Sequence, residues 1–296
     1  MQKYKINYSV IIPHKNTPQL LSNCISTIPV RNDVEIIIVD DGSDPKIVDF
    51  SNFPGKDNPN VKCIFSKGES AGQARNKALE IAKGKWIVFA DADDFFSSDI
   101  NSIFDRFAED EKTDMVFLNA KSIDDNGIIK SIILNKYISN YINNRPCALS
   151  ILKYGFWAPW SRMIKLHVFQ ENNIKFENCK TGNDMMAIIC ASLHSHVFDC
   201  VPEVIYYYYK PTGGSQTHIA YDEISYYQRL DQRLRLYKIY DSCHYKFKTP
   251  IFHIFTNKTY NKSIEAKKIL KKYKHSRLKD ILLWPMFLAG KFLHLT

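Results

Sequence analysis

Two groups of carboxylates carry the most specific chemistry in this chain of 296 residues. Asp40 and Asp41 follow the almost wholly apolar run Val34–Val39, and Asp91, Asp93 and Asp94 follow the apolar run Trp86–Ala90. A carboxylate at a strand end commonly caps the helix that comes next. Two such groups in one crevice would instead bring several negative charges together, which is costly unless a cation or a cationic ligand neutralises them. The Asp91-x-Asp93 spacing, with hard oxygen donors, suits Mn²⁺ or Mg²⁺, which keep waters and share positions with substrate phosphates. No Cys/His pair has zinc-ligand spacing. A divalent ion beside a diphosphate neutralises it as a leaving group, so the chemistry implied is group transfer from a nucleotide-diphosphate donor.

Farther along, Thr181-Gly182-Asn183-Asp184 precedes an apolar helical stretch, Met185–Leu193. Asp184 there is a helix cap or a general base. Trp157 and Trp160 flank Pro159 and suit either stacking on sugar faces of an acceptor or core anchoring. Lys210 to His218 is Gly-rich and polar after the aromatic strand Val204–Tyr209, in which ring packing within the sheet is the preferred reading.

The elements that must position these groups alternate between strand and helix. Tyr8–Ile12, Val34–Val39, Val61–Phe65, Trp86–Ala90 and Met115–Leu118 are short apolar strands, the first stopped by Pro13. Asn16 or Thr17 can cap a helix with Pro18 in its first turn, followed by Leu20, Leu21, Cys24, Ile25 and Ile28 at helical spacing. Gln73–Ala82 is a second helix, with Gly84 placed for a left-handed cap. Strands apolar on both faces and separated by helices predict an α/β fold with a parallel sheet, in which ligands bind beyond the carboxyl ends of the strands. After residue 120 the pattern weakens: Asp124–Gly127 is a hairpin-type turn, and from about 221 the periodicity is helical.

Composition excludes disordered and low-complexity classes, with 45% hydrophobic and 24% charged residues. The net charge of +9 is uneven: residues 251–296 carry ten lysines and arginines against two acids. A basic tail on a near-neutral body argues against nucleic acid as the partner and for one local anionic surface. Its polybasic stretch, Lys267 to Lys279, leads into Ile281–Leu293, which is rich in Trp, Phe and Leu but too short to span a bilayer. Interfacial attachment to anionic lipid and docking of a C-terminal helix on the body are both compatible with it; the first is preferred. Seven scattered cysteines without a C-x-x-C pair fit a reducing compartment. With no signal peptide visible, a cytoplasmic location, peripheral on the inner face of the cell membrane, is expected.

The ordered set Ser9–Pro13, Ile36–Ser43, Gly72–Asn76 and Phe89–Asp94 resembles the nucleotide half of family-2 glycosyltransferases. Pro159–Arg162, Asn173–Phe176 and Gly182–Asp184 extend the resemblance through the acceptor half, over roughly residues 8–215. It implies a GT-A fold: a Rossmann-like, mostly parallel sheet flanked by helices, with a helical C-terminal appendage. The expected domains are a catalytic domain over 1–220 (nucleotide half 1–120, acceptor half 121–220) and a helical basic region over 221–296.

By the same resemblance, Pro13 and Lys15 line the base pocket, and Asp41 contacts a uracil or equivalent base. Arg75 lies in a helix approaching the nucleotide, Asp91 faces the ribose, and Asp93 holds the metal, with Asp94 a supporting neighbour. Asp184 is the base, Asn183 replaces the usual Glu, and His218 is a metal ligand. The implied reaction is inverting transfer from a UDP-sugar to a polysaccharide or lipid-linked oligosaccharide. A sugar nucleotidyltransferase would need a Gly-rich, basic phosphate loop where this chain has Pro13-His14-Lys15-Asn16-Thr17, and a dehydrogenase would need G-x-G-x-x-G. A catalytically dead nucleotide-sugar-binding module is the non-enzymatic alternative.

Overall fold

A computed structural model describes residues 6–212, 222–243 and 264–273. His218 and the basic tail beyond Tyr273 lie outside the described residues. The first compact unit comprises Met1–Asn178 with Asn183–Ser215. Its elements are β1 (Tyr8–His14), α1 (Pro18–Ser26), β2 (Val34–Asp40), β3 (Val61–Phe65), α2 (Ala71–Ile81), β4 (Trp86–Phe89), β5 (Phe95–Phe96) and α3 (Ile100–Phe107). They continue with β6 (Met115–Ile123), β7 (Ile129–Ser131), α4 (Ile133–Ile142), α5 (Ala148–Gly155), β8 (Arg162–Lys165), α6 (Leu166–Glu171), α7 (Met185–His194) and β9 (Phe198–Tyr209).

One sheet runs in the order β3-β2-β1-β4-β8-β6-β9-β5, with β7 on β6. Every residue of β2 is buried, which is why its sequence is apolar except for Glu35 and the terminal Asp40. The buried Glu35 carboxylate is satisfied by Ser9 Oγ, Lys62 Nζ and Lys83 N. The first four strands are parallel as expected. The rest is mixed, because β8 runs antiparallel between β4 and β6 and β5 antiparallel to β9.

Three local expectations are corrected. Pro13 does not stop β1, which pairs with β2 as far as His14, because pairing with β4 has already ended at Ile11 and the missing N–H falls where β1 has lost a neighbour. Neither Asn16 nor Thr17 caps α1 through its side chain: Thr17 makes no such bond, and Asn16 Oδ1 accepts from Asp44 N at 2.7 Å instead. Gly84 is likewise not a left-handed cap, since α2 ends at Ala82 in extended backbone. It is glycine because a Cβ there would stand 2.4 Å from Ser9 N. Gly84→Ala is therefore expected to cost about 1–3 kcal/mol, read as a lower denaturation midpoint at unchanged slope.

The second unit, Cys179–Gly182 with Gln216–Thr296, contains α8 (Glu223–Ser242) and α9 (Ile264–Lys272). Asp222 caps α8 by accepting from Ser225 N at 2.8 Å. Asp231 Oδ1 on α8 accepts from Lys272 Nζ at 3.0 Å and Tyr273 Oη at 2.8 Å, which ties α9 to it. Among the described residues, no helix is long and apolar enough to cross a membrane.

Candidate functional site

The parallel strands β2, β1 and β4 end on one edge of the sheet, so Asp40 and Asp41 rise beside His14, and Asp91 to Asp94 rise on the other side of β1. The two acidic groups are two strands apart, about 10 Å. Asp40 braces the edge: it accepts from Ser43 N at 2.9 Å, Ser43 Oγ at 2.5 Å and His14 Nδ1 at 2.9 Å. Because Thr17 N donates to His14 Nε2, the imidazole proton sits on Nδ1. Asp41 Oδ1 accepts from Glu69 N at 2.8 Å and Ser66 Oγ at 3.3 Å, which fixes its carboxylate against the loop after β3. Lys15 is exposed, its Nζ 3.5 Å from where a Cβ on Gly68 of that loop would stand. Pro13 lies in β1 opposite Val39.

The three carboxylates after β4 occupy different environments. Asp94 is 1% exposed and accepts from Tyr206 Oη at 2.7 Å and Tyr209 N at 2.7 Å. Burial, and then the charges of Asp91 and Asp93, push its carboxyl well up, with those hydrogen bonds opposing. Asp91 is half-buried and accepts from Arg75 Nη2 at 2.6 Å. Asp93 is the most open of the three, yet enough protein surrounds it that desolvation, followed by the Asp91 charge, pushes its carboxyl up to about 6.

Among the described residues no three His, Cys, Asp or Glu side chains form a metal-holding group. The residues present nonetheless fit a divalent ion of the Mg²⁺ or Mn²⁺ type, which takes one or two carboxylates and completes its shell with waters and phosphate oxygens. Among the described residues no cation pairs with Asp93, while Asp91 is paired with Arg75 and Asp94 is held by the neutral Tyr206 hydroxyl and Tyr209 N–H.

Helix α2 joins this edge to the tract before α7. Arg75 is 5% exposed, lies 5.5 Å from the Phe176 ring, and donates from Nη1 to Asn183 Oδ1 at 3.2 Å as well as to Asp91. Asn76 makes a reciprocal pair with the Phe176 backbone, at 2.9 and 2.8 Å. Gly72 permits the approach, since a Cβ there would stand 2.4 Å from Glu177 O. Asp184 precedes α7 and makes no side-chain cap bond to it, although the neighbouring backbone N–H groups of Asp184 and Met185 favour its charged form. Burial raises the Asp184 carboxyl above its ordinary value; Arg75 opposes the rise and Asp91 adds to it. The absence of an acid at 183 removes one raising influence, but desolvation outweighs that gain.

Trp160 is 6% exposed and stacks on Tyr206 and Tyr208, with ring centroids at 5.1 and 5.7 Å. Its ring is committed to the sheet rather than offered to an acceptor. Trp157 is half-buried against the same core. Sequence reasoning missed Tyr206, whose hydroxyl accepts from Asp91 N at 2.9 Å while donating to Asp94. The available signal was physical: a buried tyrosine hydroxyl needs a polar partner. Tyr206→Phe leaves the Asp91 N–H and an Asp94 oxygen unsatisfied, so a loss of about 1–3 kcal/mol in denaturant unfolding is expected.

The profile of glycosyl transferase family 2 matches residues 9–173. A poly(ribitol-phosphate) beta-glucosyltransferase of Bacillus spizizenii is 29% identical over 221 residues, which are 72% of this chain and 34% of that protein. The chain thus spans about a third of the length of this curated relative. Among solved structures, Staphylococcus aureus TarS 1–349 in complex with UDP-GlcNAc superposes with a TM-score of 0.61 at 18% identity, over 78% of this chain and 66% of that one. The Pyrobaculum calidifontis mannosyltransferase PcManGT in complex with GDP-Man and Mn²⁺ gives 0.52 at 15% identity, over 99% and 81%.

Proposed function

Because the chain belongs to glycosyl transferase family 2 and has the GT-A fold, we propose that it transfers a sugar from a nucleotide-diphosphate donor, with inversion. The observation that carries this reading is the bridge from Asp91 through Arg75 to Asn183, which joins the donor edge to Asp184 at the start of α7, where that side chain makes no cap bond. Pro13, Lys15 and Asp41 line the base pocket, Arg75 approaches the nucleotide, and Asp91 takes the ribose. Asp93 holds Mn²⁺ or Mg²⁺, which supplies charge neutralisation to the departing diphosphate. Asp184 removes the proton of the acceptor hydroxyl. The freed oxygen then bonds to the anomeric carbon, and the bond to the diphosphate breaks with its electron pair leaving on the nucleotide.

We assign a UDP-sugar as donor, in line with the UDP-GlcNAc bound by the Staphylococcus aureus protein. The acceptor is assigned as a polysaccharide or lipid-linked oligosaccharide, in line with a relative named as a poly(ribitol-phosphate) beta-glucosyltransferase. Trp157 is the aromatic left to meet it. A panel of nucleotide-sugars with Mn²⁺, read by mass, tests the reading: transfer or donor hydrolysis supports it, and binding without sugar release makes the chain a nucleotide-sugar-binding module. The basic C-terminal region is proposed to hold the protein at an anionic cytoplasmic membrane face. Deleting 264–296 should then release it from the membrane fraction, and unchanged partitioning would refute that placement.

A further inference from the structure

We propose that Arg75 is a positioning residue that ties the donor-side carboxylate of Asp91 to the Asn183–Asp184 tract and sets its positive charge against the base. The proposal rests on the reading of Asp184 as that base and adds what holds it in place.

Three observations converge. The guanidinium is buried and donates to Asp91, in the loop after β4, at 2.6 Å and to Asn183, before α7, at 3.2 Å. Its third donor position, Nε, is buried without a hydrogen-bond partner. A buried donor left unmade is costly, and such a group is retained where the rest of the side chain is needed in place. Finally, the charged groups that act on Asp184 are Arg75, from α2, and Asp91, from the loop after β4. Arg75 therefore bridges Asp91 and the residue next to Asp184, and its charge favours the ionised form of Asp184.

This arrangement explains why an amide suits position 183. Asn183 accepts one Arg75 N–H without drawing on its charge, so that charge remains available to Asp91 and Asp184. An acid at 183 would compete for the same guanidinium and add a like charge beside the base. Arg75 also gives the two halves of the site a shared part. A donor that engages Asp91 works on the residue that also holds the acceptor-side tract.

The test uses the full-length protein labelled with ¹³C at aspartate carboxyls, with the Asp184 signal assigned by its loss in Asp184→Asn. In Asn183→Asp and Arg75→Met the Asp184 titration midpoint should move to higher pH, and the acid limb of turnover should move with it. Arg75→Lys keeps the charge but loses the fork. Its midpoint should stay with the wild type, while turnover falls about 10²-fold from lost placement. Asn183→Ala, at a half-buried position, should lower turnover without moving the midpoint upward, and it keeps the test open if the buried Arg75 variants do not fold. An unmoved midpoint in Asn183→Asp, or full turnover in Asn183→Ala, overturns the inference. The carboxyl titration needs no substrate, so it remains decisive even if the donor panel shows no transfer and the functional reading itself fails.

Discussion

Asp184→Asn is expected to lower turnover by about 10²–10⁴-fold, the usual contribution of a positioned general base, while nucleotide binding stays at the wild-type level. The substitution keeps the shape of the side chain and removes only the ability to take a proton. Asp184 can act in this way because it makes no side-chain cap bond to α7. Burial holds its carboxyl above the ordinary range against the pull of Arg75, so wild-type turnover should fall on acidification at a pH above that of an ordinary aspartate. The working form is the ionised one. Activity is therefore present above the folded-state midpoint and lost below it, and the Asn variant should show no such limb. Full turnover in Asp184→Asn would exclude the base role.

The second large effect is expected at Asp93. Asp93→Asn should abolish metal-dependent donor binding in calorimetric titrations with Mn²⁺ and a nucleoside diphosphate. Metal-independent nucleotide affinity should persist through the base pocket. Since the Asp93 carboxyl is pushed up to about 6, a metal arriving below that pH must displace a proton. Apparent metal affinity should then weaken about tenfold per pH unit on the acid side and level off above it. An Asn variant that still binds donor only when metal is added would place the ion elsewhere.

Much of the nucleotide-side architecture is legible in the residues themselves. β2 and β4 are buried strands whose runs carry no periodicity to misread, and their acidic ends mark the carboxyl edge directly. What sequence reasoning assigned poorly depends on partners far along the chain. Gly84 has the right place for a helix cap, yet its smallness serves Ser9 on a neighbouring strand. Trp160 has the right type for a sugar platform, yet Tyr206 and Tyr208 take up its ring. The antiparallel insertion of β8 between β4 and β6 has no local signature, because direction in a sheet is a property of pairs rather than of a strand. Tyr206 escaped for the same reason: its hydroxyl answers to residues more than a hundred positions earlier.

Those long spans bear on biosynthesis. The links that complete the reactive centre join Arg75 to Asn183 and Asp94 to Tyr206, separations of 108 and 112 residues. Contacts that close such wide loops form late, after local structure has condensed. A ribosome-bound chain that has emerged only through β4 therefore has its acidic edge but not the tyrosine that clamps it. Such a nascent fragment would be unable to consume activated sugar prematurely, and competence would arrive in one step with the final strand of the sheet.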